Sequence, residues 1–344
     1  VCPIFNDEFL VMRSLEELLK ILAISSELLQ QLLAAPEYTI YHISKKSGGT
    51  RTIQAPQGLL RQTQVLLAKY LQTVYSRHHL PCIHGFVPSA GLLKYGVLSN
   101  AVPHLNKPFV LNMDIKNFFE SITAKKVKKS LCEFPYYFNE EVATAIALLC
   151  TYQKQLPTGA PTSPVLSNMV FYIPDVALLQ WITDVNETKQ IDETGISYTR
   201  YADDLTFSGS ANLVLSLQAR IISFFATEGF EINAKKTRAQ TPHGPQWVTG
   251  IKVNERLNIS RYYIRNLRAV IHQMRVHAAE AVVCRYLKLP ATTQINTAHV
   301  KKMLSSVQSK IAWVGMARGK ADPIYLRLQT QFNVAREVML VKES

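Results

Sequence analysis

The chain has 344 residues, 47% hydrophobic and 18% charged, enough apolar matter to bury a core and too much for a disordered tail. Its net charge of +13 is uneven: residues 1–240 hold 22 basic and 20 acidic side chains, residues 241–344 hold 16 and 5, so a polyanion is the expected partner of the last third. No apolar run approaches the roughly 18 residues of a membrane span, the opening VCPIFNDEF lacks a secretory leader pattern, and five scattered cysteines without a C-x-x-C pair argue against a disulfide framework or zinc site. Val1 reads as a trimmed start, and a cytoplasmic protein without membrane contact is expected.

In chain order, Ser14 and Glu17 form a capping-box pattern, and leucines at helical spacing restart near Ser25, which predicts two short helices over 14–35. Residues 38–43 and 52–54 read as strands joined by the turn KKSGGTR. A helix over 59–75 is followed by a buried strand, 109–113. Helices are then predicted over 124–131, 140–152 and 164–181. Residues 195–201 and 205–208 form a hairpin around an acidic turn, 214–228 a helix, 230–233 an extended piece and 247–253 a strand. From Ser260 onward the pattern is helical, giving an α+β order with a helical C-terminal region.

Three segments carry chemistry. In SYTRYADDLTFSG (197–209), Asp203 and Asp204 sit side by side in a turn with apolar shoulders, and crowding two like charges costs stability unless cations balance them. A solvated Asp-Asp turn is the plain alternative. In FVLNMDIKNFFESI (109–122), Asp114 ends a buried strand, where it either caps the strand or completes a three-carboxylate site for two Mg²⁺ ions. QLPTGAPTSPVLSNM (155–169) is a Pro/Gly-rich loop before a helix, open to the close approach of a nucleotide or template strand.

The order MDIKNFF, LPTGAPTSP, YADD resembles motifs A, B and C of reverse transcriptases, with GFEINAKKT (229–237) similar to motif D. NAVPH (100–104) and VTG (248–250) are similar to elements particular to the retron reverse transcriptases of bacteria, and KKSGGTRTIQAP (45–56) and HGFVP (84–88) resemble that family's fingers segments. The resemblance runs from about Ser14 to Arg336 and implies a right-hand polymerase: N-terminal helices and fingers over 1–108, an antiparallel palm with helices over 109–240, and a primer-grip strand with a helical thumb over 241–344. It implies Asp114, Asp203 and Asp204 as metal ligands and Lys236, or its neighbour Lys235, as the proton donor to pyrophosphate. Phe119, five positions after Asp114, would be the gate that excludes a ribose 2′-OH, while Phe118 reads as core. Lys45, Lys46 and Arg51 would meet the triphosphate, and Thr158 and Gly159 the nucleotide. Thr158 stands where many relatives carry Gln, which puts any contact of that Gln in doubt here.

Asn100, His104, Thr249 and Gly250 are assigned to RNA by the same resemblance, with a satisfied structural histidine as the alternative for His104. In the basic third, Arg261, Arg265, Arg268 and Arg275 form one helical stripe and Ile264, Leu267, Ile271 and Met274 another, which suits a helix packed on one face and bound to RNA on the other. Five scattered acids after Gly250 do not suggest a nuclease site. The resemblance further implies copying of part of a cognate structured noncoding RNA (msr–msd) into single-stranded DNA from dNTPs, priming from a guanosine 2′-OH, and antiphage defence with a separate effector protein, within a possible higher-order complex. Intron-type or diversity-generating reverse transcriptases, and a polymerase-like RNA scaffold that sequesters an effector, are the rival readings.

Overall fold

The computed structural model describes residues 12–44, 48–89 and 94–341. The chain divides into two compact units, Val1–Thr241 and Pro242–Ser344.

The first unit opens with α1 (Leu15–Leu22) and α2 (Ser26–Ala34), as the restarted leucine pattern predicts. Ser14 accepts from the Glu17 amide, while the Glu17 carboxylate takes the amide of Arg13, so the reciprocal bond falls one residue early. The hairpin β1 (Tyr38–Ser44) and β2 (Thr50–Pro56) is antiparallel in even register, from Tyr38–Pro56 to Ser44–Thr50. There follow α3 (Gly58–Arg77), the short α4 (Val97–Ala101) with one 3₁₀ turn to His104, β3 (Phe109–Asp114), α5 (Ala124–Cys132) and α6 (Glu140–Cys150). Thr123 and Asn139 cap α5 and α6 through their side-chain oxygens.

The helix expected over 164–181 is two helices, α7 (Ser163–Val170) and α8 (Tyr172–Thr188), bent by 45°. Pro174 has no N–H for the Val170 carbonyl and its ring would crowd it, so the chain breaks at Phe171 and restarts with the proline in the first turn.

The sheet that organises this unit has the order β4–β5–β3–β6, with β4 (Ser197–Tyr201), β5 (Asp204–Gly209) and β6 (Arg238–Gln240), all pairs antiparallel. Helix α9 (Ala211–Thr227) packs on β3 and β5. Five of the six β3 residues are buried, which explains its nearly unbroken apolar run. Strand β6 has no apolar alternation to announce it; it is held at the sheet edge by pairing with β3 and by the Gln240 amide donating to Asn112.

The second unit begins with residues expected to form one strand and instead forms a two-residue hairpin, β7 (Trp247–Val248) and β8 (Ile251–Lys252). Thr249 (φ 46°) and Gly250 (φ 83°) make its turn, the left-handed pair that a tight hairpin requires. The rest is helical: α10 (Arg261–Val276), α11 (Ala279–Leu287), α12 (Thr297–Arg318) and α13 (Pro323–Val341), with α13 packed on α10 and α12. Ile264, Leu267, Ile271 and Met274 are the buried face of α10. Among the described residues, no single helix is long and apolar enough to cross a membrane.

Candidate active site

Antiparallel pairing brings the three aspartates together. Asp114 is the last residue of β3 and lies opposite Asp204, the first of β5. Tyr201 pairs with Asp204, which leaves Ala202 and Asp203 as the turn, and the Ile115 amide donates to the Asp203 carbonyl at 3.0 Å. Ala202 adopts φ 57°, a left-handed position that costs an L residue roughly 1 kcal/mol and needs outside support.

That support is a buried polar network. Arg200, just before the turn, is wholly buried, and its guanidinium donates to Asp175 of α8 at 2.7–3.1 Å, to Asn168 of α7 at 3.0 Å and to the Ala202 carbonyl at 3.3 Å. Tyr198 donates to the same Asp175 at 2.7 Å. Burial works against the Arg200 charge and Asp175 more than offsets it, so the guanidinium stays protonated. The carboxylate-bearing hairpin is thereby tied to both helices behind it. Sequence reasoning missed this role; the available signal was Asp175, a lone charge inside the otherwise apolar run 169–179.

A cleft of ≈ 410 Å³ opens over the turn, lined among others by Arg51, Phe119, Thr158, Asp114, Asp203 and Lys236. Phe118 is core and Phe119 is half-buried beside it, as their spacing predicts. Lys236 donates to Asp114 at 2.8 Å, and Asn233 holds the Asp114 carbonyl through its amide at 2.7 Å. Burial, then the Asp114 charge, raises the pKa of Asp203; burial, then Asp203 and Asp114, pushes Asp204 up to about 7. The hydrogen bond to Asp114 raises Lys236.

With Lys236 on Asp114, no group of three His, Cys, Asp or Glu side chains among the described residues is gathered closely enough to hold a metal as it stands. The donor set nevertheless fits a hard divalent cation. It offers only carboxylate oxygens, and Asp203 and Asp204 are destabilised as anions by burial and then by neighbouring carboxylate charge, both of which a cation would offset.

Other expected site residues fall elsewhere. Lys45 and Lys46 lie outside the described residues. The Gly159 amide donates to the Gln54 carbonyl at 3.2 Å, and a Cβ there would lie 2.7 Å from that oxygen, so Gly159 seats the loop on β2 and its amide is not offered to a nucleotide. Thr158 faces the cleft, with its hydroxyl toward Glu120 at 3.5 Å.

Asn100 and His104, which the resemblance assigns to RNA, are fully buried. His104 bridges Ser208 of β5 at 2.6 Å and Thr199 of β4 at 2.8 Å, so it pins the same hairpin from the other end. Burial holds its pKa down to about 3, and the ring is neutral. In the second unit, Arg261, Arg265 and Arg268 are exposed on α10, Thr249 is half-buried and Gly250 exposed.

Comparison with known proteins agrees with this geometry. Residues 43–315 match the family described as reverse transcriptase (RNA-dependent DNA polymerase). The chain is 34% identical over 256 residues to the Retron Mx65 reverse transcriptase of Myxococcus xanthus, covering 69% of this chain and 56% of that protein's length. It is 33% identical over 271 residues to the Retron Ec86 reverse transcriptase of Escherichia coli, covering 77% and 79%. Among solved structures, telomerase from Candida albicans aligns over 93% of this chain and 68% of that one, with TM-score 0.48 and 10% identity. With an α+β first unit that sets Asp114 opposite Asp204 beside Asp203, and with these family and retron matches, the chain belongs to the reverse transcriptase family, the RNA-dependent DNA polymerases, and within it to the retron reverse transcriptases of bacteria.

Proposed function

We propose that the protein reverse transcribes part of a cognate structured noncoding RNA (msr–msd) into single-stranded DNA, with a guanosine 2′-OH of that RNA as primer. The observation that carries the reading is the pairing of Asp114 with Asp204 beside the Asp203 turn, with Asp114 and Asp203 lining the same cleft as a cation, Arg51, and an aromatic, Phe119. Asp114, Asp203 and Asp204 would hold two Mg²⁺ ions, which when bound stabilise the charge on the attacking and leaving oxygens of phosphoryl transfer. Arg51 meets the triphosphate, and Thr158 shares the nucleotide cleft. Phe119, in the same cleft, excludes a ribose 2′-OH in this reading and so selects deoxynucleotides. Lys236 gives its proton to the departing pyrophosphate, a role supported by the hydrogen bond to Asp114 that keeps it protonated. The exposed arginines of α10, in a unit that carries 16 basic and 5 acidic residues, hold the RNA and its DNA product by backbone charge. The Thr249–Gly250 turn presents backbone to the same RNA. In this reading the protein acts in antiphage defence with a separate effector protein, in a larger complex in the cytoplasm, a role that retron membership supports without fixing.

The test is to purify the protein with its co-expressed nucleic acid, digest with RNase and sequence the remaining DNA. A discrete DNA that disappears in Asp203→Asn is expected, and a shift in its size after debranching enzyme reports the 2′ linkage. RNA alone, with no dNTP incorporation, would sink the reading.

A further inference from the structure

The segment HGFVP contributes a residue to the cleft that the proposed chemistry does not use. Residues 82–84 run beside β4: Arg200 donates its amide to the Cys82 carbonyl at 2.8 Å and receives the His84 amide on its own carbonyl at 2.9 Å. Gly85 then lies against the catalytic turn so closely that a Cβ would sit 2.5 Å from the Ala202 nitrogen, and its carbonyl accepts from Asn168 at 2.9 Å. Only glycine permits that approach. Phe86 follows with φ 61°, a left-handed backbone that a bulky aromatic adopts at a cost, and its ring is 37% exposed. That ring lines the same cleft as Asp114, Asp203 and Thr158, and packs on Phe119 with centroids 6.0 Å apart and planes tilted by 31°.

We propose that Phe86 is a positioning residue for sugar selection. It packs against the Phe119 ring, as Phe118 also does with centroids 5.3 Å apart. A gate discriminates only if it cannot swing aside, and a ring in contact with two aromatic neighbours has fewer rotamers open to it. The ligand class it serves is the 2′-deoxyribonucleoside triphosphate against its ribonucleotide counterpart. This inference rests on the proposed reading of Phe119 as the gate.

The test compares kcat/KM for dGTP and GTP on an RNA template with a DNA primer, using the full chain. Phe86→Ala is expected to lower the dGTP/GTP ratio by roughly tenfold. Phe86→Gly removes the ring while relieving the left-handed backbone, so it keeps the test open if the alanine variant folds poorly, and the same loss is expected. Phe86→Tyr, which keeps the ring, restores most of the ratio. In the double variant Phe86→Gly/Phe119→Val the ratio falls no further than in Phe119→Val alone, because both changes disable one device. An unchanged ratio in Phe86→Ala and Phe86→Gly, even with slower synthesis from both nucleotides, would overturn the proposal. An unchanged ratio in Phe119→Val would instead remove the gate on which it rests.

Discussion

In the first unit Arg200 and Asp175 are 0% and 1% exposed and bonded to each other, whereas in the second Arg261, Arg265, Arg268 and Arg275 stand on the exposed face of α10. Among the described residues none of those four has an ion-pair partner, and Arg318–Asp322 is the ion pair found in that unit. A buried charge must have its partner in place, so it fixes geometry to a few tenths of an ångström. An exposed unpaired charge fixes no geometry and acts through its density along a helix. The two units therefore suit different tasks: holding carboxylates at set positions, and attracting a polyanion whose sequence is not read.

The contrast is open to direct attack, most severely at the carboxylates. Asp203→Asn should reduce dNTP incorporation by more than about a thousandfold, because several kcal/mol of transition-state stabilisation depend on the charge. Its melting temperature should hold or rise, because a repelled carboxylate is removed. Incorporation assays with thermal melts on one preparation check both halves.

Next in size is the buried pair. Asp175→Asn leaves Arg200 without its countercharge and should cost about 3–5 kcal/mol in urea denaturation, while the double change Arg200→Met/Asp175→Leu should cost far less. Equal losses in both would mean that the ion pair itself, and not the orphaned charge, is what matters.

His104 gives a pH test of the same region. Its folded pKa of about 3 lies below the unfolded value of roughly 6.5, so between these the unfolded chain binds a proton that the folded chain refuses. Its contribution is intact above about pH 6.5 and is lost as pH falls toward 3, at about 1.4 kcal/mol per pH unit. His104→Asn should flatten the acid side of a stability-against-pH curve measured by urea denaturation, and an unaltered slope would contradict the burial.

The smallest effects belong to the second unit. Arg261→Gln, Arg265→Gln and Arg268→Gln should each leave stability within about 0.5 kcal/mol. Each should lower RNA affinity across sequences and reduce the slope of log affinity against log salt by about 1. Filter binding at several salt concentrations reads this. A loss confined to one RNA sequence would show that these arginines read bases.

Composition and local pattern were enough to place most helices of the first unit and the basic third and to single out Asp114, Asp203 and Asp204 as candidates, because leucine spacing, a buried strand ending in Asp, an Asp-Asp turn and an excess of basic residues are all local in sequence, while the resemblance supplied their role. The break at Phe171 was also local, in Pro174, yet the apolar run around it concealed the bend. Contacts between residues far apart in the chain were decided only by the folded structure. Strand pairing set Asp114 against Asp204, and Arg200 met Asp175 and Asn168 across two helices. The close approach of Gly85 to Ala202, and with it the place of Phe86 beside Phe119, likewise exists only once β4 is docked. The same holds for His104: the sequence shows a polar side chain, and only the folded structure shows it buried and bonded to Ser208 and Thr199. A motif states which chemistry is available, while burial and partner geometry, which depend on the whole core, decide where each group can act.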